Sequence, residues 1–281
     1  MTAAAETALP YLTQVGGYRM KGYWYHWQDP TTKRFRDGSN FDAVIERYEF
    51  DRELRRITGD ALERIELMVR STLSNVMSGH EGPHWFLKNE LFTRSRSGAD
   101  AVHGPRDSLM VRAAREVARM HRKPFIRHYV EHYDDPPLPP SWALCECLSF
   151  GTWSAAYPAL ANADYRKKIG RRFRVEDPDV LTSWLHAFSV MRNTVAHHGR
   201  LIGAQTGVTP REYRRRGLRF DKPQARTFFV VATVINYVCQ GIHRGPRWKA
   251  DLQAIFAKYP NVPIFGGLGF PTDWQDRPGW R

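Results

Sequence analysis

The sequence predicts an all-α protein. Apolar residues recur at intervals of three and four in several long segments, as they do on the buried face of an amphipathic helix. Alternating β-branched runs bounded by turn residues, which would predict strands, hardly occur.

Helices are expected at three places in the first 80 residues. Residues 11–27 are rich in Tyr, Gly and Trp and predict one or two short helices with a turn. A longer helix is expected over 41–57, and another over 60–77, which has the clearest apolar stripe of the chain. Asp60 and Glu63 are three residues apart, the spacing of a pair that caps a helix start.

A proline-rich connection at 134–140 divides the predicted helices into two groups. Before it, a helix is expected over 107–120; after it, residues 142–160 predict a helical region that is broken near Gly151. Neither half has enough helices with an apolar face to form a hydrophobic core on its own. We therefore expect a single α-helical domain covering 1–281.

The second half contains the other strong stripes. An Asp-Pro pair at 177–178 supplies an N-cap and a proline at the first helical position. The helix that follows is expected to cover about 178–199, with Gly199 at the C′ position. Further helices are expected over 228–242 and 248–256.

Charge is the compositional feature that indicates a partner. The 281 residues include 42 Lys and Arg against 29 Asp and Glu, a formal net charge of +13. Such a charge predicts a polyanionic partner, with nucleic acid favoured over an acidic membrane or a simple basic protein. Three basic runs stand out, at 106–128, 166–174 and 211–222. Arginine is their most frequent basic residue, and its planar guanidinium can donate two hydrogen bonds to one phosphate. The residues predicted to hold nucleic-acid phosphates are Arg166, Lys167, Lys168, Arg171, Arg172, Arg200, Arg211, Arg214, Arg215 and Arg216.

Several classes of protein and site are not expected. No apolar run approaches the roughly 18–20 residues that span a bilayer, and three cysteines fit a reducing, cytoplasmic location. The segment 80–84 has the letters of the zinc motif His-Glu-x-x-His, but its Gly and Pro break the helix that this motif needs. Cys145 and Cys147 lack a second pair. We expect neither a metal nor a cofactor.

The densest group of polar, chemically active residues lies at 191–201. Arg192 and Asn193 are followed by His197 and His198 at the end of an apolar-striped helix. A histidine can take the proton from a ribose 2′-OH, and an arginine can stabilise the charge that develops on the phosphate. These residues therefore predict RNA cleavage without a metal.

The helical spacing of this group restricts how it can act. Arg192 and His197 are five residues apart, so about 140° separates them on an ideal helix. Either the last turn distorts, or two copies of the helix meet across a symmetric dimer. An arginine followed by a histidine four to six residues later also occurs elsewhere in the chain. A phosphate-binding patch and a structural helix end therefore remain alternatives.

Five segments, in order, resemble motifs of the Abi-like (abortive infection) family within the HEPN superfamily. They lie at 11–25, 50–66, 146–151, 192–201 and 268–274.

The resemblance implies a HEPN-type helical bundle with additional helices, dimerisation and a role in antiphage defence. It also implies metal-independent RNase activity carried by Arg192 and His197, with Asn193 as the polar residue beside the arginine. His198 is either the base or a supporting residue. The resemblance also implies a small RNA as a partner, as in some relatives, which suits the positive charge. Where family members often have Trp-Asn, this chain has Ile202-Gly203.

Two main functional hypotheses follow from the sequence. The first is a homodimeric endoribonuclease of phage defence that cleaves RNA. The second is a non-catalytic RNA-binding protein that holds a small regulatory RNA in a defence or toxin-antitoxin system. A helical DNA-binding regulator is a weaker third hypothesis, since no clear helix-turn-helix pattern emerges.

Overall fold

The computed structural model describes residues 5–93, 105–221, 224–243 and 245–281. Over these ranges the regular structure is helical, with isolated β-bridges in place of sheets, which confirms the predicted all-α class. No helix in the described ranges is both long enough and apolar enough to cross a membrane. The α-helices are α1 (Ala5–Pro10), α2 (Gly17–Trp24), α3 (Phe41–Glu81), α4 (Pro105–Arg119), α5 (Pro124–His132), α6 (Ser141–Leu144), α7 (Phe150–Ala159), α8 (Ala163–Arg172), α9 (Pro178–Ala196), α10 (Phe228–Cys239), α11 (Trp248–Lys258) and α12 (Ile264–Leu268).

The long helix α3 replaces the two helices predicted over 41–57 and 60–77. Asp60 lies inside α3 and therefore caps nothing; the N-cap is Asn40, whose Oδ1 accepts the N–H of Asp42 at 2.9 Å. Gly59 costs about 1 kcal/mol relative to alanine inside a helix. The apolar stripe runs through it in register, with Leu54 and Leu62 both buried. The burial of this stripe outweighs the glycine penalty, so the helix continues.

Helix α3 is the element around which the others pack. It contacts α7, α8 and α9, and also α10 and α11. One cluster of buried apolar residues includes side chains from both sides of the 134–140 connection. Helix α10 is buried around its whole circumference, as expected of a helix that is apolar on every face.

Other predicted elements agree with the structure except at their ends. Residues 134–140 form a non-helical connection, as predicted. Pro124 occupies the first turn of α5, where a missing N–H costs nothing. The break predicted near Gly151 lies before it, since Gly151 is the second residue of α7.

The start of α9 forms as predicted. The Asp177 side chain accepts the N–H groups of Asp179 and Val180 at 3.0 and 3.3 Å, and Pro178 follows it at the first helical position. Each of these bonds satisfies a backbone donor that the helix itself leaves free. The stripe residues on the core face of this helix are Leu181, Trp184, Leu185, Phe188 and Met191, all of them buried.

Helix α9 ends three residues before the predicted 199, and its C′ residue lies one position earlier than predicted. His197 is the C-cap, and His198, not Gly199, adopts the left-handed conformation, with φ of 58°. The N–H of Gly199 donates to the Thr194 carbonyl at 2.7 Å, and the N–H of His198 donates to the Val195 carbonyl at 3.0 Å. These two bonds form a Schellman motif, in which glycine usually occupies the left-handed position.

Gly199 is required for a different reason. A Cβ on Gly199 would lie 2.7 Å from Thr194 Cγ2 and 2.9 Å from the Thr194 carbonyl oxygen. The chain therefore tolerates a side chain at the left-handed residue but not at the residue that follows it.

A buried carboxylate on α3 fixes the segment after α9. Asp51 Oδ1 accepts the N–H groups of Leu201 and Ile202 at 3.0 and 2.8 Å, and Oδ2 accepts the Tyr23 hydroxyl at 2.8 Å. The Arg55 guanidinium forms an ion pair with Oδ2. Burial raises the pKa of Asp51, while Arg55 and the hydrogen-bond donors oppose this rise. One side chain therefore joins α2, α3 and the segment after α9.

We expect opposite effects from glycine at 198 and alanine at 199. His198→Gly removes a left-handed non-glycine residue, which costs about 1–2 kcal/mol, so the free energy of unfolding should rise by about 0.5–1 kcal/mol. Gly199→Ala introduces a close contact with Thr194 and should lower it by about 1–3 kcal/mol. Urea unfolding of both variants measures the difference. Destabilisation by His198→Gly would mean that the imidazole makes stabilising contacts that outweigh its backbone strain.

We expect Asp51→Asn to lower the free energy of unfolding by about 3 kcal/mol or more, because it leaves the buried Arg55 charge without its partner. The matched control is Asp60→Asn, an exposed position on the same helix, which should stay within about 0.5 kcal/mol of the natural protein. Equal stability of the two variants in urea would show that Asp51 does not anchor the segment after α9.

Candidate active site

The four residues predicted to be catalytic lie around the end of α9. Arg192 and Asn193 belong to the last two turns, His197 is the C-cap, and His198 is the left-handed residue after it. Asn193, His197 and His198 are exposed, and Arg192 is partly buried. The buried stripe of α9 holds this group against the core.

Arg192 is oriented by a carboxylate on α3. Its Nε donates to Glu66 Oε2 at 3.1 Å, and its Nη1 donates to Asn193 Oδ1 at 3.2 Å. Glu66 also forms an ion pair with Arg70, so one buried carboxylate faces two guanidinium groups. The two guanidinium groups and the one carboxylate together carry a net positive charge, and 37% of the Arg192 side chain is exposed. The guanidinium is therefore held in place and still reachable by a phosphate.

Within one chain the hydrogen bonds of Arg192 do not reach either histidine. Among the described residues, the side-chain partners of Arg192 are Glu66 and Asn193. Helix α9 is regular as far as Ala196, so the distortion of its last turn that could have aligned Arg192 with His197 does not occur. The backbone leaves the helical conformation at His197 and becomes left-handed at His198. The carbonyl of His198 accepts a hydrogen bond from the Arg19 guanidinium.

One face of α3 lies along the end of α9. Asp51, Gly59 and Glu66 are separated by eight and seven residues, which places them on the same side of a helix. Glu66 binds Arg192, and a Cβ on Gly59 would lie 3.4 Å from Val195 Cγ1. Asp51 binds the segment after His198. The two elements therefore run antiparallel, and we call the set Asp51, Arg55, Gly59 and Glu66 the α3 site face.

An open groove of about 570 Å³ lies beside His198. Arg19 from α2 and Arg52, Arg55 and Arg56 from α3 line it together with His198. We call it the arginine groove. None of these four arginines belongs to the three basic runs, and charge counting along the sequence missed them. The available signal was their spacing, since 52, 55 and 56 share one face of a helix.

The basic run on α8 borders a second groove. Lys168, Arg171 and Arg172 line it together with His80 of α3, and Lys168 Nζ lies 3.1 Å from His80 Nε2. Lys167 is exposed and Arg166 is partly buried. This groove is separate from the arginine groove, and both are open to solvent.

The arginines after α9 have more varied surroundings. Arg211 and Arg214 are exposed but lie near carboxylates, at 3.6 Å from Asp179 and 2.8 Å from Glu212. Arg215 and Arg216 complete a short exposed 3₁₀ turn, while Lys222 at the end of this run lies outside the described residues.

Arg200 is engaged within the protein. Its guanidinium lies over the Tyr25 ring at 5.2 Å and donates to the Gly22 carbonyl. It holds the N-terminal helices against the segment after α9.

No group of three metal-binding side chains is found within the described residues. The letters at 80–84 do not form the helical zinc motif, because α3 ends at Glu81 and the Tyr129 hydroxyl lies 3.2 Å from His84 Nε2. Cys145 and Cys147 are buried as free thiols, and burial raises the pKa of each to about 11.

Comparison with known proteins identifies a family for this arrangement. No curated protein and no solved structure gives a match. A model of the Abi-like protein family matches residues 10–203, which include α3, α9 and the grooves described above, though not the motif at 268–274. Since this segment is more than half of the 281 residues, the chain belongs to the Abi-like protein family.

Proposed function

We propose that this Abi-like protein is a HEPN-type endoribonuclease that acts in abortive-infection defence and needs no metal. The observation that carries the proposal is the placement of Arg192, which Glu66 holds at 3.1 Å while its side chain remains partly exposed, in the same polar group as two histidines. Membership of the Abi-like family supports the defence role.

The reaction follows from the chemistry of these groups. A neutral histidine takes the proton from a ribose 2′-OH, and the 2′ oxygen attacks the adjacent phosphorus. Arg192 stabilises the negative charge that develops on the phosphoryl oxygens. The bond between phosphorus and the 5′ oxygen breaks, that oxygen takes a proton from water, and the histidine returns its proton to the solvent. The products are a 2′,3′-cyclic phosphate and a 5′-hydroxyl.

We propose His198 as the base, with His197 beside it. His198 lines the arginine groove, where the positive charges attract a phosphate. It also holds a left-handed backbone that costs about 1–2 kcal/mol for a non-glycine residue. Strain of this kind concentrates at functional positions, and glycine would relieve it here.

The protein is proposed to act as a homodimer of single-domain chains in the cytoplasm. Helix α9 is regular to Ala196, so Arg192 and His197 project about 140° apart in one chain. Arg192 also forms its hydrogen bonds with Glu66 and Asn193 rather than with His198, the proposed base. A two-fold axis that brings two α9 ends together would place an arginine of one chain near a histidine of the other.

Arg192→Ala and His198→Ala should each reduce RNA cleavage in EDTA by about 100-fold or more, the usual effect of losing a general base or a charge-stabilising group. The matched control is His186→Ala, because His186 is exposed on the same helix and should leave cleavage unchanged. Gel analysis of the fragments should show 2′,3′-cyclic phosphate ends. Cleavage that persists in both site variants would refute the assignment. RNA binding without any cleavage by the natural protein would favour the non-catalytic RNA-binding hypothesis.

A shared site predicts that two inactive variants restore each other. When Arg192→Ala and His198→Ala chains are unfolded, mixed equally and refolded, half of the dimers contain one chain of each kind. Each such dimer would have one intact site, so cleavage should recover to about a quarter of the natural rate. Without recovery, each chain must supply its own arginine and histidine.

A further inference from the structure

The arginine groove has more positive charge than its neighbouring carboxylates neutralise. Arg19, Arg52, Arg55 and Arg56 line it, and no carboxylate does so among the described residues. Like charges gathered in one cleft repel one another and raise the local concentration of anions. The charge of the groove therefore favours the binding of an anionic ligand.

The four guanidinium groups differ in how free they are. Arg55 is buried and paired with Asp51, and Arg19 donates to the His198 carbonyl. Arg52 lies 2.9 Å from Glu49 but is 64% exposed. Arg56 is exposed and forms no ion pair within the described parts of the chain. Arg19 and Arg55 thus shape the groove, while Arg52 and Arg56 are able to bind a ligand.

An aromatic residue in the groove indicates which class of anion the groove would bind. Tyr48 lines it beside the arginines, and its ring is held by edge contacts with Tyr11 and Tyr23 at 6.0 and 5.4 Å between centroids. A positively charged groove with an aromatic side chain is typical of sites that bind single-stranded nucleic acid, in which arginines track the backbone and rings stack on bases.

We propose that the arginine groove binds the phosphodiester backbone of single-stranded RNA and guides the strand past His198. This proposal rests on the proposed RNase function and deepens it, since it assigns Arg52 and Arg56 to the substrate. Arg56 and the Arg192 partner Glu66 are ten residues apart on α3, a rise of about 15 Å. Arg56 is therefore too far along α3 from the Arg192 of its own chain for both to bind the same phosphate.

Binding of a single-stranded 2′-O-methyl RNA tests the groove without cleavage, because this RNA lacks the attacking hydroxyl. The variant is Arg52→Ala/Arg56→Ala. The control is Arg64→Ala/Arg247→Ala, which removes the same charge from two exposed positions outside the groove. The groove variant should bind about tenfold more weakly at ~100 mM salt. Its negative slope of log affinity against log salt should become shallower by about 1.4, which is about 0.7 for each lost phosphate contact. Circular dichroism checks that both variants fold.

The outcomes separate this proposal from the RNase proposal. If the groove variant binds RNA as the control does, the groove is not the RNA site, while cleavage by the natural protein would still support RNase function. If the groove variant loses binding but the natural protein cleaves no unmodified RNA, the groove assignment stands and the RNase proposal fails. If the natural protein does not bind the modified RNA, the groove assignment is wrong.

Discussion

The hydrogen bonds from Leu201 and Ile202 to the Asp51 carboxylate determine where the candidate site lies. They join residues about 150 positions apart in the chain, at 3.0 and 2.8 Å. A buried carboxylate is unfavourable unless its oxygens accept hydrogen bonds, and the Tyr23 hydroxyl and Arg55 complete its partners. The segment after α9 therefore has one stable position, and His198 is held next to the arginines of α3.

The same face of α3 also determines how Arg192 is presented. Glu66 lies at one end of the α3 site face and Asp51 at the other, with Gly59 between them, where Val195 approaches closely. Glu66 fixes the guanidinium but cannot neutralise it, because Arg70 shares the same carboxylate. A long, rigid helix thus supplies one carboxylate to orient the arginine and another to anchor the histidine segment. Both carboxylates hold their partners within the chain itself, and the proposed RNA cleavage would require such preorganisation for charge stabilisation.

The helical class, the start of α9 and the proline-rich connection could be predicted because each depends on local sequence. Apolar spacing predicts a helix, and Asp177 caps α9 through bonds to residues two and three positions away. The continuity of α3 through Gly59 could not be predicted in this way. It depends on tertiary burial on both sides of the glycine, which overrides local propensity.

The site was only partly predictable. The arginine and histidines near the end of α9 stand out by residue type, and their order resembles a known motif. The Arg192 partner Glu66, and Asp51, which binds the backbone of the segment after the histidines, are more than 120 residues away in the chain. No local pattern links such residues. The arginine groove was missed because its arginines and its histidine come from α2, α3 and the end of α9, and none of them lies in a dense basic run. Position on a helix face, rather than charge density along the chain, was the informative signal.

Amide hydrogen exchange of Leu201 and Ile202, measured by NMR, tests the Asp51 anchor most directly. If Asp51 holds this segment in the core, both amides should exchange as slowly as amides in the middle of α3, since opening them requires the core to open. They should exchange far more slowly than the amide of the exposed Gln205. Exchange of Leu201 and Ile202 at the rate of Gln205 would contradict the account, because the histidine segment would then be free of α3.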